Sequence, residues 1–369
     1  MLLIFFVQII LTLNYLRLVV AMKRHILWCL MRIRCGACYV ISTEVKQNHC
    51  IPVVAVYPTW SANQLSLESI PWDKFTHITL TFILPNTDAS LQTQDMDQII
   101  DPLVKLAHEK NKKVLVSVGG ATGYGDAFQK IATDKNLLNK FTQSVNAYVV
   151  RHQIDGVDID WEYWTKQAIN KQGGNDPVES SLLVDLLAAL RAKLPKNILM
   201  TTDIFAGYWY GEQYLPEIQQ YLDYVVLMAY DFTGAWKSSP ITHHSDYATF
   251  KKSIKFVLDK GFKKEKLLVG FPTYGIEFID GRNIQVNKDH SYKSIVETIE
   301  QQHGDYKSGK IGHLFFETPE LVRKKSQYIL EQQLAGVLIF ELTQDTLNNS
   351  TSLLSASNQV ISPEFCSKK

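Results

Sequence analysis

Four acidic side chains fall within DGVDIDWEYW, Asp155 to Trp164, and three of them, Asp158, Asp160 and Glu162, recur at every second residue. Alternate side chains of a β-strand point to one face, so these three share a side while Val157, Ile159 and Trp161 share the other. Successive members then stand about 6–7 Å apart. Three ionised carboxylates at that spacing in a low-dielectric interior repel one another, so at least one holds a proton near neutral pH. A carboxylic acid beside carboxylates is equipment for general acid–base catalysis. The competing readings are a divalent-metal site and a strand whose acids are neutralised by neighbouring Lys or Arg. The inward ends of the other strand candidates offer Ser117, Asp203, Tyr230 and aromatics, with no basic residue and no histidine. That weighs towards catalysis.

Such a strand needs neighbours to hold it, and the chain supplies them. From Ile51 onward, short β-rich runs alternate with longer amphipathic segments. The strand candidates are IPVVAVY, FTHITLTFI, KKVLVSVGG, IDGVDIDWE, ILMTTDIFA, YVVLMAYD, KLLVGFPTYG and AGVLIFEL. Between them lie segments such as MDQIIDPLVKLAHEKNK, LLNKFTQSVNAYVVRHQ, PVESSLLVDLLAALRAKL and TPELVRKKSQYILEQQL, with apolar residues at i, i+3 and i+4. Eight βα units over roughly 300 residues predict an α/β fold, a (β/α)8 TIM barrel, as a single domain over residues 51–362. An open doubly wound sheet is the alternative, but VVAVYPTWSANQ lacks the glycine-rich phosphate turn expected after its first strand. In a barrel the acidic face of the fourth strand lines the interior, with Glu162 nearest the C-terminal end where barrel active sites lie.

DGVDIDWE matches the D-x-x-D-x-D-x-E signature of glycoside hydrolase family 18, the chitinases and their relatives. Ser117-Val118-Gly119-Gly120 resembles that family's S-x-G-G on the third strand, and Met228-Ala229-Tyr230-Asp231 resembles its M-x-Y-D on the sixth. The resemblance runs from Ile51 to about Thr343. It implies retaining, substrate-assisted hydrolysis, an exception to the two-carboxylate scheme of most glycosidases. Glu162 would be the general acid and base, and the substrate's 2-acetamido oxygen the nucleophile. Asp160 would hold the acetamido N–H, Asp158 would share a proton with Asp160, and Tyr230 would aim the acetamido oxygen. Asp231 would help to bind the distorted sugar, with Gly119 and Gly120 leaving space beside the acids. No cofactor and no metal are implied. The implied partner is chitin or N-acetylglucosamine oligosaccharides. An endo-β-N-acetylglucosaminidase acting on N-glycans, and a chitin-binding lectin without catalysis, are the alternative functions.

Aromatic side chains that follow strand candidates, Trp60, Trp164, Tyr208, Trp209, Tyr210, Trp236 and Tyr274, suit stacking on sugar rings. The sequence departs from the family at three places. Phe340 stands where the family usually has a Trp on the eighth strand, and Trp164 follows DWEY where Pro is common. About 15 residues separate Tyr274 from SYKSIVETI, too few for the small α+β insertion that walls the cleft in many members, so the expected cleft is shallow and open.

The bulk numbers agree with a globular protein acting on a neutral ligand: 46% hydrophobic, 20% charged, and 38 basic against 37 acidic residues for a formal charge of +1. Nothing in that balance favours nucleic acid or an anionic membrane surface. The five cysteines lie outside the barrel, with Cys29, Cys35, Cys38 and Cys50 before it and Cys366 after it. Cys35 and Cys38 have the gap that redox and metal motifs use, but no second pair accompanies them. Cys50 and Cys366 bracket the domain and are expected to form a disulfide. Residues 1–50 read as a secretory signal peptide or signal anchor (MLLIFFVQIILTLNYLRLVVA) plus a poorly ordered leader, and 363–369 as a tail. A secreted monomer is expected, touching a membrane only through that anchor. Asn348 and Asn349 both lie in N-x-S/T frames, which fits secretion.

Overall fold

The structure, a computed structural model, describes residues 51–121, 125–162, 177–207, 214–234, 239–279, 283–285, 290–302 and 307–362. The chain divides into Met1–Gln47 and Asn48–Lys369, and all described residues belong to the second unit. The leader, the five cysteines, Trp164, Tyr208, Trp209, Tyr210 and Trp236 lie outside the described residues.

Eight parallel strands close on themselves: β1 Val53–Pro58, β2 His77–Pro85, β3 Lys113–Gly119, β4 Gly156–Asp160, β5 Leu199–Phe205, β6 Tyr224–Met228, β7 Leu267–Pro272 and β8 Gly336–Phe340. Each pairs with the next, and β8 returns to β1 with Val53 opposite Val337. This is the expected (β/α)8 barrel. Its register is anchored from below by two aspartates that each precede a strand. Asp155 accepts a hydrogen bond from the Val114 N–H and Asp223 one from the Met200 N–H, both at 2.8 Å. Of the four acids in the opening motif, Asp155 therefore serves the fold.

Around the barrel run α1 Ile100–Glu109, α2 Gly125–Thr133, α3 Lys135–Arg151, α4 Pro177–Lys193, α5 Tyr247–Asp259, α6 Tyr292–Gln301, α7 Pro319–Gln332 and α8 Leu353–Asn358. Their starts are written in the sequence. The Asp134 side chain caps α3, Asp246 caps α5, and Thr318 followed by Pro319 opens α7. The longer helices bury a stripe: α1 turns Ile100, Leu103, Val104 and Ala107 inward, and α3 turns Phe141, Val145 and Val149. These stripes meet the outward faces of the strands, Val157, Ile159 and Trp161 among them, in one continuous apolar layer.

One expectation is corrected. After β7 the chain builds a four-stranded antiparallel sheet from Gly275–Ile279, Asn283–Gln285, Lys310–Ile311 and Leu314–Phe316, with α6 inserted between its second and third strands. SYKSIVETI is thus not the seventh barrel helix, which is α7. The residues between Tyr274 and α6 are too few for an α+β insertion only if the insertion ends there, and it continues to Phe316. It is small, but Ile276, Phe278 and Phe315 pack against Tyr230 and Tyr274, giving the cleft a wall on this side.

A buried ion pair pins α7 to this region. Lys325 and Glu317 have no exposed side-chain surface. Besides Glu317, the Lys325 ammonium donates to the Ser245 carbonyl at 2.5 Å and the Ser245 hydroxyl at 2.8 Å, and it lies over the Phe250 ring. Removing one partner leaves a buried charge uncompensated, which costs more than the pair itself contributes. Lys325→Met alone should lower unfolding free energy by about 3–5 kcal/mol, while adding Glu317→Leu should recover most of that loss. Urea denaturation of the three proteins measures both. An equal loss in single and double variants would mean that packing around Lys325, not charge, sets the penalty.

Candidate active site

The period-two acids sit where the strand pattern places them. Asp158 and Asp160 are buried and face the lumen from β4, and Glu162, just past the strand, is partly exposed at its mouth. All three line one cavity that the inward faces of the eight strands enclose. Asp158 is tied from both sides. Ser117 on β3 donates its hydroxyl to Oδ2 and Thr201 on β5 donates to Oδ1, each at 2.6 Å. Both follow from register, since Ser117 and Thr201 stand directly opposite Asp158 on the two flanking strands.

Asp160 is treated differently. Its backbone carbonyl accepts the Gly120 N–H at 3.0 Å, but its side-chain Oδ1 is buried without a hydrogen-bond partner. Burial, followed by the charges of Glu162 and Asp158, raises the Asp160 carboxyl well above its ordinary range. The expected protonated acid within the row is therefore Asp160. The glycines beside it are required by geometry. At Gly119, φ is +122° and an added Cβ would lie 2.2 Å from the Asp160 carbonyl oxygen. At Gly120, φ is +105° and a Cβ would press on the Phe82 ring at 3.1 Å.

Across the lumen, Tyr230 follows β6 and is buried; the desolvation, and then the charges of Asp203, Asp231, Asp160 and Glu162, raise its phenol well above the usual value. It stays a neutral O–H donor. Phe340, at the end of β8, stacks on Tyr230 with centroids 5.7 Å apart and planes 22° apart, so the family-unlike Phe does occupy the cavity floor. Tyr274 is placed less as a sugar platform than as a support. It is buried, packs edge-on against Tyr230 and donates its hydroxyl to Asp231 Oδ1 at 2.7 Å. Asp231 holds a left-handed φ of 54° and leaves about half its side chain exposed towards the cleft. Trp60 is 48% exposed and stacks on Phe82, 5.7 Å away, at the rim.

Sequence reasoning missed several participants. His244, fully buried, faces Asp231 Oδ1 with Nδ1 at 3.3 Å and the Tyr274 carbonyl with Nε2 at 3.2 Å, bracing the Tyr274–Asp231 contact. Its neighbour His243, pushed down to about 4 by burial, is neutral; Nε2–H donates to the Phe316 carbonyl of the insertion and Nδ1 accepts the Ser245 N–H. Thr201 on β5 was missed too; with Asp203, which the sequence placed facing inward, it carries the same alternation as the β4 acids, a signal present in MTTD. Histidine also reaches the lumen, as His77 at the start of β2, although at the end remote from Glu162; burial lowers it to about 4. Among the described residues no group of three His, Cys, Asp or Glu side chains is arranged to hold a metal ion, and no helix is long and apolar enough to cross a membrane.

The family model described as Glycosyl hydrolases family 18 matches residues 38–345. A "chitinase-like effector" of Moniliophthora roreri is 26% identical over 239 residues, 61% of this chain and 58% of that protein. "Probable chitinase 2" of Drosophila melanogaster is 26% identical over 263 residues, 64% of this chain and 53% of that one. The chain thus spans a little over half the length of these relatives. Among solved structures, catalytic domain 2 of the Ostrinia furnacalis Group II chitinase, in complex with (NAG)5, superposes with a TM-score of 0.71 at 20% identity, covering 85% of this chain and 97% of that one. That likeness carries the fold.

Two outcomes follow from this geometry. Gly119→Ala should destabilise the protein by about 3 kcal/mol or more, because the new methyl meets backbone and its φ is unfavourable; chemical denaturation reads this directly. Asp160 has a folded pKa above its unfolded 3.8, so the penalty for burying it is absent below about pH 4 and grows as the pH rises. Asp160→Asn should therefore melt higher than the parent at pH 7, with the difference vanishing near pH 4. A difference independent of pH would show that Asp160 is not held protonated by its surroundings.

Proposed function

Because the chain belongs to glycosyl hydrolase family 18, we propose that it hydrolyses β-1,4 N-acetylglucosamine linkages of chitin by a retaining, substrate-assisted route. The observation that carries this reading is the buried, unpartnered Oδ1 of Asp160, between a fully hydrogen-bonded Asp158 and the cleft-facing Glu162. A buried acceptor without a donor is costly unless something supplies one. An acetamido N–H does so. With the N–H held by Asp160 and the carbonyl oxygen aimed by the neutral Tyr230 hydroxyl, the acetamido oxygen reaches the anomeric carbon as Glu162 protonates the departing glycosidic oxygen. The resulting oxazolinium carries positive charge on nitrogen, and the Asp160 and Asp158 carboxyls stabilise it more than they stabilise the neutral substrate. Glu162, now ionised, takes a proton from the incoming water.

Asp231, braced by Tyr274 and His244, is positioned to hold the sugar, with Phe340 as floor and Trp60 as an outer platform. Relatives named as chitinases support chitin as substrate. The apolar run Met1–Ala21 supports secretion. A carbohydrate-binding role without turnover draws on the relative named a chitinase-like effector, and on Phe340, whose ring has no N–H donor.

Incubating the full chain with N-acetylglucosamine oligomers separates these readings. The parent should release shorter oligomers of initially β configuration, and Glu162→Gln should cut kcat by at least about 100-fold while still binding. Binding without cleavage by both proteins would establish the non-catalytic role. Cleavage of N-glycan cores in place of chitin oligomers would reassign the substrate.

A further inference from the structure

Asp203, half-buried, completes the acid cluster of the lumen, and its role rests on the glycosidase reading above. It faces the lumen from β5, two residues beyond Thr201, and lines the same cavity as Asp160, Glu162 and Tyr230. Its side chain hydrogen-bonds Asp158. Two carboxyls joined this way hold one proton between them. Which one carries it is decided by the other contacts: Ser117 and Thr201 donate to both oxygens of Asp158, as they would to a carboxylate. Asp158 is the acceptor, so the proton resides on Asp203. Burial, and then the charges of Asp158 and Asp160, push the Asp203 carboxyl the same way, well above its ordinary range. The titratable groups acting on it are all acidic or neutral: Asp158, Asp160 and Glu162 from β4 and beyond, and Tyr230 after β6. Among the described residues no Lys or Arg lines the cavity.

We propose that Asp203 is a positioning residue of the reaction, a neutral carboxylic acid whose O–H keeps Asp158 hydrogen-bonded, leaving Asp160 free to turn to the substrate's acetamido N–H. With only two carboxyls, swinging Asp160 away would take from Asp158 the proton they share. With Asp203 present, Asp158 keeps three donors, Ser117, Thr201 and Asp203, wherever Asp160 points.

The test uses the full chain, N-acetylglucosamine oligomers, and the variants Asp203→Ala and Asp203→Asn. Loss of a hydrogen bond to a charged acceptor predicts a kcat roughly 10- to 100-fold lower in the Ala variant, with KM within about threefold of the parent. The Asn variant, whose amide donates to Asp158 without titrating, should return kcat to within about threefold. Equal losses in both variants, an unchanged kcat in the Ala variant, or a change confined to KM would each overturn the role. Carbon NMR of aspartate carboxyls gives a readout that needs no turnover: besides the Asp160 signal, which Asp160→Asn identifies, a second carboxyl should remain protonated at pH 7 in the parent and vanish from the Asp203→Asn spectrum. If the parent cleaves nothing, the glycosidase reading falls while the proton assignment is decided by NMR alone. An Asp203 carboxyl that titrates near its ordinary 3.8 overturns the assignment whatever the activity.

Discussion

Crowding of carboxyl groups inside a closed barrel is the constraint from which the rest of this molecule follows. Asp158, Asp160, Glu162 and Asp203 line one lumen to which no described Lys or Arg contributes. Isolated buried charges of this kind are not tolerated unless they are hydrogen-bonded or neutralised by protons. The chain uses both devices. Ser117 and Thr201 compensate Asp158, while Asp160 and Asp203 are held towards their protonated forms. Parallel pairing makes this achievable, because neighbours in register on β3 and β5 bring their hydroxyls to the height of Asp158 without any loop having to be ordered.

The same constraint explains how the periphery is built. An acid site that works by differences of protonation needs its supporting groups fixed, since a small displacement changes both hydrogen bonds and charge separations. Tyr274, His244 and the left-handed backbone at Asp231 fix one side. They are in turn held by the insertion, through the apolar cluster with Ile276, Phe278 and Phe315 and the His243 bond to Phe316. The insertion's final residues lead into Glu317, whose buried pairing with Lys325 locks α7 beneath Ser245. Stability of that outer layer and geometry at Asp231 are therefore linked by covalent sequence as well as by packing.

The barrel was legible because its signals are local and periodic. Inward and outward sets on β4 alternate strictly, and the helix stripes repeat at helical spacing. The catalytic candidates on β3, β4 and β6 were legible for the same reason, each lying at a strand end where barrel chemistry occurs. What escaped depends on contacts distant in sequence. SYKSIVETI has the stripe of a barrel helix, and only pairing of Gly275–Ile279 with Leu314–Phe316, nearly 40 residues on, assigns it to the insertion. His244 lies in a loop without periodicity, so its contact with Asp231 and the Tyr274 carbonyl could not be inferred. Tyr274 read as a stacking residue because composition cannot tell a ring that meets solvent from one whose hydroxyl is spent on a neighbour. Asp203 was visible as an inward acid, yet its importance arises from Asp158 across the strand pair.

A lumen this acidic also restricts what can enter it. The chain as a whole carries a formal charge of only +1, so the negative character is local, concentrated where it repels anionic ligands and leaves acceptors exposed to donors. A neutral sugar bearing an amide meets those conditions twice. On the proposed route its N–H would satisfy the unpartnered Asp160 oxygen in the ground state, and the charge growing on nitrogen as the ring closes would be opposite in sign to the ionised carboxylates of the lumen. Because the acids are already in place and already desolvated, little reorganisation is needed as that charge appears, which is when electrostatic stabilisation contributes most. The row of carboxyls that looks unstable in a strand read alone is thus, for the proposed reaction, complementary to a cation that would exist only during turnover.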